Sequence, residues 1–406
     1  MMSGCFEDLM YIFGVGARGG GIFPKHKVDW KAVLELADEH GVWQTAFLAV
    51  NDEIVKKQYE SRFVKSITFN MQRIAFSIDA IETMERSGIG CRLLKGISVA
   101  RFYKEPLCRI SGDTDVLILP QNEKKAMSVL KKIGYEVTPR GENSHHFLAR
   151  HPVGGLMEVH VKMYSDPTKD ILLNNMIEYN ENNIEFNLDG HKLKTLGITD
   201  GAIYLTAHYI KHFISKGVGI RQLMDVLLYI EHYENDIDWD RYTALFTELR
   251  YEKLIKNIMA IGNKYFGFDF AETDDSCMEI ILYDSAVGGV FGKDSNRAEN
   301  FYEAFLRRRT TMSGKNLDKY MTKKTRAGLF RRLFPERTVM QSQGYVCNSA
   351  WQLVGCYIIR LCRLSKYMVT NRTKRKQMMS YSYDTHNESE NIKKRLEMMK
   401  NLDIVD

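Results

Sequence analysis

The chain has 406 residues, 44% of them hydrophobic, and a formal net charge of +6. At roughly 100–200 residues per domain this length holds two or three domains, and the apolar share suffices for a sizeable core. No run approaches the roughly 18–20 apolar residues of a membrane span. The seven cysteines include no Cys-x-x-Cys pair, which excludes a zinc ribbon or redox motif. Their odd number, with no signal peptide, fits reduced thiols in the cytoplasm.

Residues 1–24 contain Gly14, Gly16 and Gly19 in a Gly-x-Gly-x-x-Gly match. More glycine and Pro24 follow instead of a helix and a distant acid, so the match reads as chance and the stretch as a loop. Val33, Leu34, Leu36 and Ala37 recur at helical spacing before Gly41, and a second short helix runs to about Asn51. Val55, Tyr59, Phe63, Ile67, Met71, Ile74, Ile78, Ile81 and Met84 predict one long helix over residues 53–87, ended by Ser87-Gly88. These elements form an N-terminal helical region, 1–88.

Residues 89–197 predict an α/β core. A short strand over Cys91–Leu94 leads through a Lys95-Gly96 turn into a helical segment, Ile97–Tyr103. A polar turn carrying Arg109 and Gly112 precedes the buried strand that begins at Asp113 and stops at Pro120. A helix over Glu123–Ile133 follows. Further strands are expected near Tyr135–Val137, Ser144–Arg150, Leu156–Met163, Ile184–Leu188 and Lys192–Leu196. Residues 198–370 read as a large helical domain. His208 and His212 share one helix, Arg221 and Asp225 the next, and further helices lie near 238–266, 276–284 and 297–311. A basic stretch, 319–343, precedes an apolar core helix over Trp351–Val369. The tail 371–406 is polar and flexible, apart from a weak charged helix at 390–401.

The chemistry concentrates around Asp113 and Asp115. Positions i and i+2 of a strand share a face, so two carboxylates aim at one spot beside apolar residues. Their repulsion calls for a divalent cation, and hard oxygen donors suit magnesium, or manganese. Glu158, His160 and Lys162 alternate onto one face of a later strand, and Glu158 supplies a third carboxylate if the two strands pair. Such a cluster binds one or two metal ions, nucleotide phosphates and an attacking oxygen. Lys95 and Gly96 sit where a phosphate can approach the backbone, with Ser98 at the helix start. Arg109 is either a phosphate clamp or one half of a structural salt bridge to one of these acids. His160 orients the site, accepts a proton, or is a core histidine. His145 and His146 precede a strand, and one of them faces inward. The His208/His212 pair lacks a third zinc ligand and reads as structural or substrate-lining. Arg221 and Asp225, at i and i+4, read as a mutual pair.

Lys95-Gly96, Arg109, Gly112-Asp113-Thr114-Asp115 and Glu158-Val159-His160 together resemble the polymerase-β-type nucleotidyltransferase superfamily, and within it a bacterial group of uncharacterised nucleotidyltransferases. His40-Gly41-Val42, His208 and His212, Arg221 and Asp225, and Phe334-Pro335 to Arg360 extend the resemblance over about residues 30–365. Lys95-Gly96 stands where the superfamily usually has Gly-Ser or Gly-Gly. The resemblance implies an α+β fold, with a small mixed sheet between the helical regions. It implies an enzyme that moves a nucleoside monophosphate from a nucleoside triphosphate to a hydroxyl-bearing acceptor (sugar, small molecule or protein) and releases pyrophosphate. Asp113, Asp115 and Glu158 would be catalytic and metal-binding; Lys95, Gly96, Ser98 and Arg109 would bind the nucleotide. The modest charge and the absence of RNA-binding modules argue against nucleic acid as the acceptor. A non-catalytic nucleotide-binding or scaffold protein on the same fold is the alternative.

Overall fold

The structure, a computed structural model, describes residues 4–141, 144–163, 183–215, 217–288, 351–359 and 397–404. The chain forms two compact units, Met1–Gly292 and Lys293–Asp406. The predicted helix at 297–311, the basic stretch and the Phe334-Pro335 region lie outside the described residues.

The first unit starts with helix α1 (Gly4–Arg18), where the sequence predicts a loop. The glycines that suggest flexibility serve close packing instead. A Cβ on Gly16 would come within 1.9 Å of the Thr45 carbonyl oxygen, and one on Gly14 within 3.0 Å of Phe266. Phe6, Leu9, Met10, Ile12 and Phe13 are buried, so α1 is a core helix. Helices α2 (Trp30–Glu39) and α3 (Trp43–Phe47) pack on it. Asp29 caps α2 by accepting from the Ala32 amide. Helix α4 (Glu53–Arg86) is the long predicted helix, capped at its start by Asp52 and at its end by Ser87.

A seven-stranded mixed sheet follows. Its strands are β1 (Arg92–Leu93), β2 (Asp113–Leu117), β3 (Glu136–Thr138), β4 (His146–His151), β5 (Gly155–His160), β6 (Ile184–Leu188) and β7 (His191–Thr195), in the order β3-β4-β5-β2-β1-β7-β6. β2 and β5 run parallel side by side, and β1 pairs antiparallel with β2. The single-turn helix α5 (Ile97–Ala100) follows β1, and α6 (Glu123–Lys132) follows β2. One sheet face is apolar: Val116, Phe147, Ala149, Met157 and Val159 bury themselves with Ile78, Ile81 and Met84 of α4 and Ala126 and Leu130 of α6. The pleat sends alternate residues of the same strands to the opposite face, and those residues include Asp113, Asp115, Glu158 and His160.

Helices α7 (Ile198–Ser215) and α8 (Ile220–His232) pack against each other after the sheet. The expected single helix at 238–266 is two, α9 (Trp239–Glu248) and α10 (Glu252–Ile261), the second continuing into a π turn, Gly262–Phe266. Arg250 lies between them at φ 58°, a left-handed conformation that no helix passes through. α11 (Met278–Gly288) closes the described part of this unit. In the second unit, residues 351–359 are helical, but Trp351, Val354, Ile358 and Ile359 are exposed while Cys356 is buried. The described turns therefore do not form the expected core helix. Among the described residues no helix is long and apolar enough to cross a membrane.

Candidate active site

The parallel register of β2 and β5 aligns Asp113 with Leu156, Asp115 with Glu158 and Leu117 with His160. Partner residues on adjacent strands point the same way, so Asp113, Asp115, Glu158 and His160 share one face. Thr114 points to the other and exchanges a 2.9 Å hydrogen bond with Ser77 of α4. Asp115 is 1% exposed, whereas Asp113 at the strand start is partly open. His160 Nε2 lies 3.2 Å from Asp115 Oδ1 and 3.7 Å from Glu158 Oε2. One ligand atom each from Asp115, Glu158 and His160 falls within 4.8 Å of the others.

Lys95 projects from the end of β1 into the same acids. Its Nζ is 3.3 Å from Asp115 Oδ2, 3.9 Å from Asp113 Oδ2 and 3.4 Å from His208 Nε2 of α7. The Asp115 Oδ2 atom is buried and, despite this ion pair, accepts no hydrogen bond of good geometry. Gly96 takes φ 69°, and a Cβ there would meet Ser111 Oγ at 2.9 Å. Both features require glycine. The helix after it is a single turn, too short to offer a phosphate-binding N-terminus.

The electrostatics split the acids. Burial alone would raise the Asp115 pKa, but Lys95 and His160 override it and hold the carboxyl at about 2. Burial would likewise raise Glu158, and the neighbouring His160 imidazole pulls it below the usual range. Burial raises Asp113, with Lys95 only partly compensating. Burial would lower His160, but its contact with Asp115 and the Glu158 carboxylate beside it raise it. These contacts suit His160 to an orienting role. Burial, and then Lys95, hold His208 well below its ordinary value and hence neutral.

Arg109 makes a salt bridge, with Asp225 rather than with Asp113 or Asp115. It is buried, and its Nε and Nη2 grip both oxygens of Asp225, with Nε–Oδ1 at 3.1 Å. Tyr103 Oη donates to the same Oδ1 at 2.8 Å. Asp225 thus partners Arg109 across the fold, and the expected i, i+4 hydrogen-bonded pair with Arg221 is not made. Arg221 Nη1 instead donates to the Ile110 carbonyl at 2.7 Å, while its Nε, buried, has no hydrogen-bond partner. Burial, and then the Arg109 charge, bring the Arg221 pKa down to about 10.

Lys95, Gly96, Arg109, Ser111, Asp113, His208, Arg221 and Asp225 line one cleft. Ser98 is buried and does not line it; Ser111, which accepts from Arg109 Nη1, does. Sequence reasoning passes over Ser111 although it sits two residues before Asp113, on the turn that closes over Gly96. His208 does line the cleft, as its substrate-lining reading expects.

No curated protein matches the sequence. Two solved structures are similar to it. One is the solution structure of the antibiotic-resistance factor ANT(2'')-Ia, at 10% identity over 46% of this chain and 93% of that one, with a TM-score of 0.32. The other is the lincosamide antibiotic adenylyltransferase LnuA with lincomycin bound, at 13% identity over 39% of this chain and 94% of that one, with a TM-score of 0.27. The family described as uncharacterised nucleotidyltransferase matches residues 26–267, which takes in the helices α2–α4, the whole sheet and the cleft, and stops short of the late region to which the resemblance was extended. With more than half of its 406 residues matched, the chain belongs to the uncharacterised nucleotidyltransferase family, a family of nucleotidyl-transferring enzymes.

Proposed function

We propose that the chain moves a nucleoside monophosphate from a nucleoside triphosphate to a hydroxyl-bearing acceptor (a sugar, a small molecule or a protein side chain) and releases pyrophosphate. The observation that supports this most is the β2–β5 register, which sets Glu158 beside Asp115 with Asp113 on the same face. Asp113, Asp115 and Glu158 would hold magnesium or manganese. Their hard oxygen donors fit such an ion, and one ligand atom each from Asp115 and Glu158 lies within 4.8 Å of the other. When bound, the ion supplies neutralisation of phosphate charge and activation of the attacking oxygen.

The chain's own residues do the rest. His160 orients Asp115 and Glu158 through its Nε2 contacts. Lys95 and Arg221 give the cleft its positive side, and Gly96 with Ser111 gives it a close backbone approach. Arg109 holds Ser111 and Asp225 in place and acts as a positioning residue. The acceptor oxygen attacks the α-phosphorus, and the bond to the pyrophosphate oxygen breaks. The acceptor proton passes to a carboxylate of this set. Catalysis then comes from positioning and charge neutralisation.

The test uses each of the four common triphosphates, labelled at the α-phosphate, with magnesium and a cell extract as the acceptor source. Label transferred to an acceptor, with pyrophosphate released and both lost in Asp115→Asn, is the expected result. Absence of transfer with all four triphosphates would leave the scaffold reading in its place.

A further inference from the structure

Beside the carboxylates lies a cluster of three imidazoles, of which the transfer chemistry uses only His160. The β4–β5 register places His146 directly opposite His160. His145 precedes His146, and its carbonyl accepts from the Val161 amide, which fixes it at the same end of the sheet. The His145 and His146 ring centroids are each 5.1 Å from that of His160 and 4.6 Å from one another. One nitrogen from each of the three rings lies within 4.8 Å of the other two.

Two details point to a ligand. His145 Nε2 and His146 Nδ1 are 3.3 Å apart. Tetrahedral zinc with nitrogen ligands at about 2.0–2.1 Å has donor atoms about 3.3–3.4 Å apart, so these two nitrogens already span one tetrahedral edge. His160 is 3% exposed and its Nε2 faces Asp115, while its Nδ1 is buried with no hydrogen-bond partner. A metal-bound histidine commonly turns one ring N–H to a carboxylate and ligates through the other nitrogen. His160 has that division of labour, with Nδ1 left over.

We propose that His145, His146 and His160 form a binding site for a transition-metal cation of the zinc type, adjacent to the carboxylate site and separate from it in chemistry. Three imidazoles suit a borderline ion and leave a fourth position open, whereas magnesium prefers the oxygen donors next door. The inference does not depend on the transfer reading: His145 and His146 take no part in it, the ion differs, and His160 alone is shared.

The test titrates the purified full chain with cobalt(II) in excess magnesium and reads the visible d–d absorption. One equivalent of cobalt should give the band, and zinc should displace it. His145→Ala/His146→Ala should weaken cobalt binding at least about 100-fold, and the milder His146→Gln about 10-fold. Asp113→Asn should keep the band. Circular dichroism confirms that each variant is folded, and His146→Gln serves if the double variant is not. Absence of the band in the parent chain would overturn the proposal. So would a band unaltered by the histidine substitutions, or one lost in Asp113→Asn.

Discussion

Replacing Asp225 by alanine tests the electrostatic frame of the cleft. Arg109 and Asp225 are 4% and 5% exposed in their side chains, and Asp225 accepts from both Arg109 and Tyr103. Removing the carboxylate leaves a guanidinium buried without its counter-charge beside a second one, Arg221. Breaking a buried pair in this way costs about 3–5 kcal/mol. At about 2 °C per kcal/mol for a unit of this size, the thermal midpoint should fall by roughly 6–10 °C. The assay is thermal unfolding followed by circular dichroism, on Asp225→Ala and on Arg109→Met/Asp225→Leu. The double variant carries no orphaned charge and should lose less than the single one. A fall of less than about 2 °C in Asp225→Ala, or a larger fall in the double variant, would refute the claim that this pair holds the floor of the cleft.

Other expectations follow from the same geometry. Glu158→Gln and Asp113→Asn should each lower α-phosphate transfer by about 100-fold or more, read by pyrophosphate release. His160 has a raised pKa, so its pairing with Asp115 and Glu158 is fully present below its unfolded value of 6.5 and is lost as pH rises through the folded value. The midpoint difference between the parent chain and His160→Gln, measured with a chelator, should therefore be largest below pH 6.5 and shrink towards alkaline pH. Gly16→Ala drives a methyl group into the Thr45 carbonyl, and overpacking of about 1–3 kcal/mol or more should appear as a lower midpoint and a poorer yield of folded chain. Arg221→Ala should raise the KM for the triphosphate while the fold survives, in steady-state kinetics against Arg221→Lys as the conservative control.

The long helix α4 was legible because 34 residues of threes-and-fours spacing leave little choice of period, and Ser87-Gly88 marked its end. The Asp113/Asp115 face was legible for the same local reason, the two-residue repeat of a strand. Helix α1 was missed because glycine carries two opposite meanings, freedom in a loop and close approach in a packed helix. Thr45 and Phe266, far along the chain, decide which one applies. The break at Arg250 was missed because a left-handed turn without glycine leaves no local signal.

The sequence by itself determined which residues carry charge onto which face of each strand, since the pleat is a property of the local backbone. It named the three carboxylates and His160 on that ground, and Lys95 and Gly96 from their place on a turn between strand and helix. It left Arg109 and Arg221 undecided, because an arginine's partner is chosen by whatever carboxylate the fold brings within reach. Packing of α8 beside α5 gave Asp225 to Arg109, and the pairing of β4 with β5 drew His145 and His146 up to His160. Those pairings join residues as many as 116 positions apart, and no local periodicity encodes them.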